Sequence, residues 1–218
     1  MLLLEDPTKT FPKRVWYEKA EIEKIAETCL KNADWPKIDK GPAIDIDRVV
    51  ERLGFDLDIR DLPESVLGTT IFTNTGKAII CVSPALYEGL ENSPGRRARL
   101  RSTLAHELAH ALLHAEVFKE AQKGAMCRSE ASGGEEKAYK GEWWEYQANL
   151  GMSAILMPEK LFTAYALKVK VDGQWVDPLV RTLADRFEVG LAATAYRLMG
   201  MNILSPDEVR DLSELGYA

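Results

Sequence analysis

Histidine and cysteine are both scarce, with three of each in 218 residues. Cys29, Cys81 and Cys127 form an odd, widely scattered set. That excludes a disulfide framework and fits a reducing compartment. No apolar stretch nears the roughly 20 residues of a membrane span. The opening Met1-Leu2-Leu3-Leu4 meets Glu5 and Asp6 at once, too short a run for a secretion signal. The expected location is therefore the cytoplasm, with no membrane partner. Long basic runs are missing too. Against 34 acidic residues stand 28 Lys and Arg, giving a formal charge of −6 and a pI near 5.3. Direct nucleic-acid binding through phosphate neutralisation is disfavoured by that balance. Repeats and low-complexity tracts are absent as well. What remains is 46% hydrophobic and 28% charged, the make-up of a globular chain with a real core. Its length suits one domain, or one domain with an appendage.

The few histidines are not spread out. All three fall in nine consecutive positions, His106-Glu107-Leu108-Ala109-His110-Ala111-Leu112-Leu113-His114, and the first five spell H-E-x-x-H. On a helix, residues i and i+4 lie nearly above one another, about 6 Å apart along the axis. Two imidazoles so placed grip one small cation, and the intervening glutamate points to its edge. That is the arrangement needed to activate a water: neutral nitrogen donors, an open coordination position, and a carboxylate in reach of the proton. With so few histidines, a chance match is on the order of a few per thousand.

The chain around the motif reads as α+β and mainly helical. Trp16–Leu30 has a helical period, and Asp45–Leu53 a shorter one, with Asp45 or Asp47 as cap and Gly54 as stop. Phe55–Arg60, Thr69–Thr73 and Ala78–Val82 read as about three strands of a small antiparallel sheet, with a turn at Asn74-Thr75-Gly76. Ser93-Pro94-Gly95 breaks the chain before a long motif helix from about Arg97 to Phe118. Lys119–Gly141 is charged, holds Gly133-Gly134, and reads mostly as loop. A second helix runs from Glu142 to Leu156 and stops at Met157-Pro158. Further helices are expected near Glu159–Lys168, Pro178–Phe187 and Gly190–Met199, with a polar piece at Pro206–Leu215. The expected organisation is a core over 1–158, carrying the sheet, and a helical extension over 159–218 packed on it as one unit.

Two histidines alone make a weak site, and the downstream helix offers a third ligand. Glu145 and Asn149 share a face, and Ala148 between them is small enough for helices to approach closely. If Glu145 binds the metal, Asn149 reaches a histidine's second nitrogen and holds its tautomer. Glu142, one turn earlier, is the acidic alternative. His114 lies two turns beyond His106 and is rotated about 80°, so it does not complete the same tetrahedron. It reads as structural, bonded to the loop.

The run Arg101–His114, followed by Glu145-Tyr146-Gln147-Ala148-Asn149 and Ala154-Ile155-Leu156-Met157-Pro158, resembles the ImmA/IrrE family of metallopeptidases. H-E-x-x-H is common to many zinc hydrolases; its combination with E-x-x-A-N and the L-M-P helix end is far more specific. The resemblance implies a zincin-like core. It implies His106, His110 and Glu145 as metal ligands and Glu107 as general base. It also implies one Zn2+ per chain, with Mn2+ as an alternative, and regulatory proteolysis of a protein substrate, a helix-turn-helix transcriptional repressor. Where related enzymes place an aspartate after the third ligand, this chain has Asn149. An amide oxygen accepts the same hydrogen bond without the charge.

Other readings stay open. No histidine is left as oxyanion donor, so Tyr146, Tyr196 and Arg197 are the candidates. Ala78–Val82 is either an edge strand that pairs with an extended substrate or an interior strand. A zinc amidase with Cys81 as third ligand is one rival to the peptidase. A DNA-binding module is another, built on helix-turn-helix spacing over 183–199, although its second helix carries only Arg197 as a basic residue. Cys127 is either a surface thiol or a thiolate cap on the metal.

Overall fold

The computed structural model describes residues 1–6, 11–35, 42–73, 77–117, 125–129, 143–171 and 176–212. The α+β class expected from the sequence holds. Strands β1 (Leu2–Leu4) and β2 (Arg14–Trp16) form a small antiparallel pair. Helix α1 then covers Lys19–Asn32. It starts later than the helical period suggested, because Trp16 is held in the β1–β2 pair opposite Leu2. Its buried residues Ile22, Ala26, Cys29 and Leu30 follow the spacing of one apolar face. Helix α2 (Ile46–Arg52) is capped by Asp45, whose carboxylate accepts from the Arg48 N–H at 3.3 Å. Gly54 follows at φ +75°, a left-handed value suited to glycine.

The second sheet holds β3 (Asp56–Ile59), β4 (Val66–Phe72), β5 (Ala78–Val82) and β6 (Ala125–Ser129), in the order β3-β5-β4-β6. β3 and β5 run parallel; β4 is antiparallel to both β5 and β6. The sequence reading expected an antiparallel sheet of about three strands; the sheet has four, and its β3–β5 pair is parallel. β5 is the interior strand of its two alternatives, hydrogen-bonded to β3 and β4, so it offers no free ladder to a substrate. And a stretch read as loop contributes β6, with Thr69 opposite Cys127 and Thr70 opposite Met126. The Asn74-Thr75-Gly76 turn and the remainder of 118–142 lie outside the described residues.

Helix α3 (Pro94–Leu113) is the centre of the fold. It begins three residues earlier than expected. Ser93 is the N-cap, accepting from the Arg96 N–H at 3.3 Å, and Pro94 takes the first helical position, where its missing N–H costs nothing. β4, β5 and α2 pack against α3, as does α4 (Trp143–Leu156), which also packs on α1. Leu104, Ala105 and Leu108 are fully buried in that layer. Helices α5 (Glu159–Val171), α6 (Val176–Phe187), α7 (Leu191–Gly200) and α8 (Pro206–Leu212) continue the chain. Phe162 and Phe187 meet edge to face at 5.0 Å across α5 and α6. Among the described residues no helix is long and apolar enough to cross a membrane.

In α7 the lone basic residue does not face outward. Arg197 is buried; its guanidinium donates to the Met157 carbonyl oxygen at 2.7 and 3.0 Å and to Glu23 at 2.5 and 3.0 Å. A side chain committed in this way is unavailable to a phosphate or a base edge. It is equally unavailable as an oxyanion donor.

Candidate metal centre

Helix α3 carries His106, Glu107 and His110, all fully buried. The Nε2 atoms of the two histidines face each other at 3.0 Å. From α4, Glu145 closes the set. Its Oε2 lies 3.0 Å from His106 Nε2 and its Oε1 lies 3.3 Å from His110 Nε2. The convergence depends on how close the two helices come. A Cβ at Gly151 would sit 2.7 Å from the Ala109 Cβ, so only glycine fits at that crossing. Ala148 is fully buried in the same face. Gln147 pins α4 from its other side. Its amide donates to the Val15 carbonyl oxygen at 2.9 Å, and its oxygen accepts from the Tyr17 N–H at 3.3 Å.

Hydrogen-bond logic at this cluster points to a cation. Asn149 Oδ1 lies 3.1 Å from His106 Nδ1. An amide oxygen only accepts, so the proton is on Nδ1 and Nε2 carries a lone pair. That lone pair is aimed at a carboxylate oxygen and at a second imidazole. Such a set is repulsive unless a proton or a cation lies among its members. The spacings of 3.0 to 3.3 Å match the edge of about 3.3 Å expected for a tetrahedron with ligand bonds of 2.0–2.1 Å. His106, His110 and Glu145 therefore fit a metal ion, and among the described residues they are the one group of three such side chains that does. Burial by itself would raise the Glu145 carboxyl. With a positive charge in the cluster, a proton on the imidazoles or a cation in its place, the two histidines outweigh that and hold it well below the usual carboxylate range, ionised.

Two residues that the sequence reading missed hold Glu107. The Thr70 hydroxyl lies 2.8 Å from Glu107 Oε2 and 2.9 Å from the Glu107 carbonyl oxygen. Thr70 and Gly68 are two apart on β4 and share the face turned to α3. At Gly68 an added Cβ would meet Thr103 Cγ2 at 2.7 Å and Glu107 Cγ and Oε1 at 3.0 Å. Gly68→Ala is accordingly expected to lower unfolding free energy by about 1–3 kcal/mol, the usual cost of overpacking. Urea denaturation of the two proteins measures this. An unchanged midpoint would mean that strand and helix are not opposed this tightly.

The remaining candidates are distributed differently. His114 is fully buried, and among the described residues its partner is His110. Its Nδ1 lies 3.0 Å from Nδ1 of His110, and the Trp143 ring meets it edge-on at 5.5 Å. Burial holds its pKa well below the ordinary 6.5, so it is neutral. Tyr146 is exposed and stacks on Trp16 at 6.1 Å, while Tyr196 is exposed on α7. Cys81 is buried in β5, outside the His–His–Glu cluster, with its thiol pushed up by burial. Glu142 and the side chain of Cys127 lie outside the description.

The profile of a peptidase family described as the IrrE N-terminal-like domain matches residues 90–199, just over half the chain. The match covers α3, α4 and every residue of the His–His–Glu cluster. No curated protein matches the chain.

Proposed function

The chain belongs to the IrrE N-terminal-like family of metallopeptidases; from that premise we propose a zinc-dependent endopeptidase that cleaves a helix-turn-helix transcriptional repressor in the cytoplasm. His106, His110 and Glu145 hold the ion, and Glu107 is the general base. The observation that carries this reading is the convergence of three buried donor side chains from two helices, with an ionised carboxylate among them.

When bound, zinc supplies a Lewis acid that polarises the scissile carbonyl and brings the pKa of a water to about 7. The other work falls to this chain's own groups. Glu107 takes the water proton and returns it to the leaving amine. Thr70 fixes the orientation of the Glu107 carboxylate, and Asn149 keeps the His106 proton on Nδ1. Manganese is the alternative metal, since ligand type alone does not decide between the two. The net charge of −6 favours a basic partner such as a DNA-binding repressor. Residues 159–218 are proposed to be a helical extension of the 1–158 core, a reading favoured by the Arg197 bonds to Met157 and Glu23.

Incubating metal-depleted protein with a helix-turn-helix repressor from the same cell tests the proposal. Cleavage at a limited set of bonds is expected once zinc is added, and none in the presence of a chelator. A repressor that stays intact under zinc-replete conditions would count against this substrate.

A further inference from the structure

His114 belongs to the same helical stripe as the two histidines above it, four residues after His110, yet it faces the opposite side of the His110 ring from Glu145. Its Nδ1 meets His110 Nδ1 at 3.0 Å, while His110 Nε2 points to the cluster. One proton is shared between those two Nδ1 atoms, and its owner matters. If His114 donates, His110 must carry its own proton on Nε2, directly in the path of a metal. If His110 donates, its Nε2 lone pair is free for the ion.

The second arrangement puts the His114 proton on Nε2, and that atom is buried with no hydrogen-bond partner among the described residues. Leaving a buried polar group unpartnered is destabilising, so the fold tolerates a loss at this position. What holds the ring there is also visible. Trp143 meets it edge-on, at 86° between ring planes. The Trp143 indole N–H donates to the buried Asp6 carboxylate at 3.2 Å, and that carboxylate also accepts from the Phe11 N–H at 2.8 Å.

We propose that His114 is a positioning residue for the metal site, accepting a hydrogen bond from His110 Nδ1–H and so fixing His110 as an Nε2 ligand. The inference rests on the metallopeptidase reading above. Under it, both ligand histidines are oriented by neutral acceptors, Asn149 for His106 and His114 for His110, and α3 supplies the second of these from its own next turn.

Two substitutions separate positioning from mere packing. His114→Phe keeps a ring against Trp143 and removes the acceptor; His114→Asn places an amide oxygen near the Nδ1 position. The readout is zinc affinity of the metal-depleted proteins, by competition with a chromophoric chelator. His114→Phe is expected to bind zinc 10- to 100-fold more weakly, the usual effect of losing such a supporting group. Its metal-free melting temperature should change little, because one unpartnered buried polar atom, His114 Nε2, is exchanged for another, His110 Nδ1. His114→Asn should recover most of the lost affinity. Wild-type affinity in His114→Phe, or no recovery in His114→Asn, would overturn the proposal. Should either variant fail to fold, imidazole 15N spectra of the zinc-loaded wild type decide, with the His110 proton expected on Nδ1. A wild-type protein that takes up no zinc would sink the metallopeptidase reading and this inference with it, whereas tight zinc binding indifferent to position 114 would sink the inference alone.

Discussion

Glu107→Gln is expected to reduce peptide hydrolysis by about 10²- to 10⁴-fold, the range over which a positioned acid–base group contributes. Glutamine has almost the same shape and still accepts from the Thr70 hydroxyl through its amide oxygen, so the fold and the neighbouring histidines should not shift. What it cannot do is take a proton from water. Zinc content per chain should therefore equal that of the unaltered protein while turnover falls. Measuring metal by elemental analysis and cleavage on the same samples separates the two quantities. Undiminished cleavage would remove Glu107 from its role. Parallel loss of metal would instead make it part of the binding set.

Removing the third donor is expected to cost the metal as well as the turnover. Glu145→Ala takes away both carboxylate oxygens that face His106 Nε2 and His110 Nε2. Zinc affinity should fall by more than the 10- to 100-fold typical of groups that merely support a ligand, and hydrolysis should be lost with it. Since Glu145 is on α4 and the histidines are on α3, the metal-free variant should keep its secondary structure by circular dichroism. Full retention of tightly held zinc would move the third ligand elsewhere, to Glu142 first.

The chemistry of the cluster was legible in the sequence to the extent that it is local. The spacing of His106 and His110 fixes a shared face, and the same arithmetic on the next helix pairs Glu145 with Asn149. Helix ends were legible where one residue decides them, as at Asp45 and at Met157-Pro158. What escaped notice is what depends on contacts between distant segments. Thr70 reaches Glu107 across 37 positions, and nothing in a run of β-branched residues marks one threonine as the partner of a glutamate. Gly68 likewise looks like any strand glycine until Thr103 and Glu107 are seen against it. β6 was hidden for a related reason. Five residues with one charge have little pattern of their own, and they pair because β4 presents a ladder to them. Ser93-Pro94 misled in a different way, since a proline that ends one element also opens the next.

One consequence of the sheet order concerns how a polypeptide is threaded past Glu107. β4 touches the base through Thr70, yet its N–H and C=O groups are taken up by β5 on one flank and β6 on the other. A guest chain lying alongside cannot zip onto that strand without first peeling away residues 125–129. Residues 125–129 thus occupy the ladder position beside the strand that touches the base.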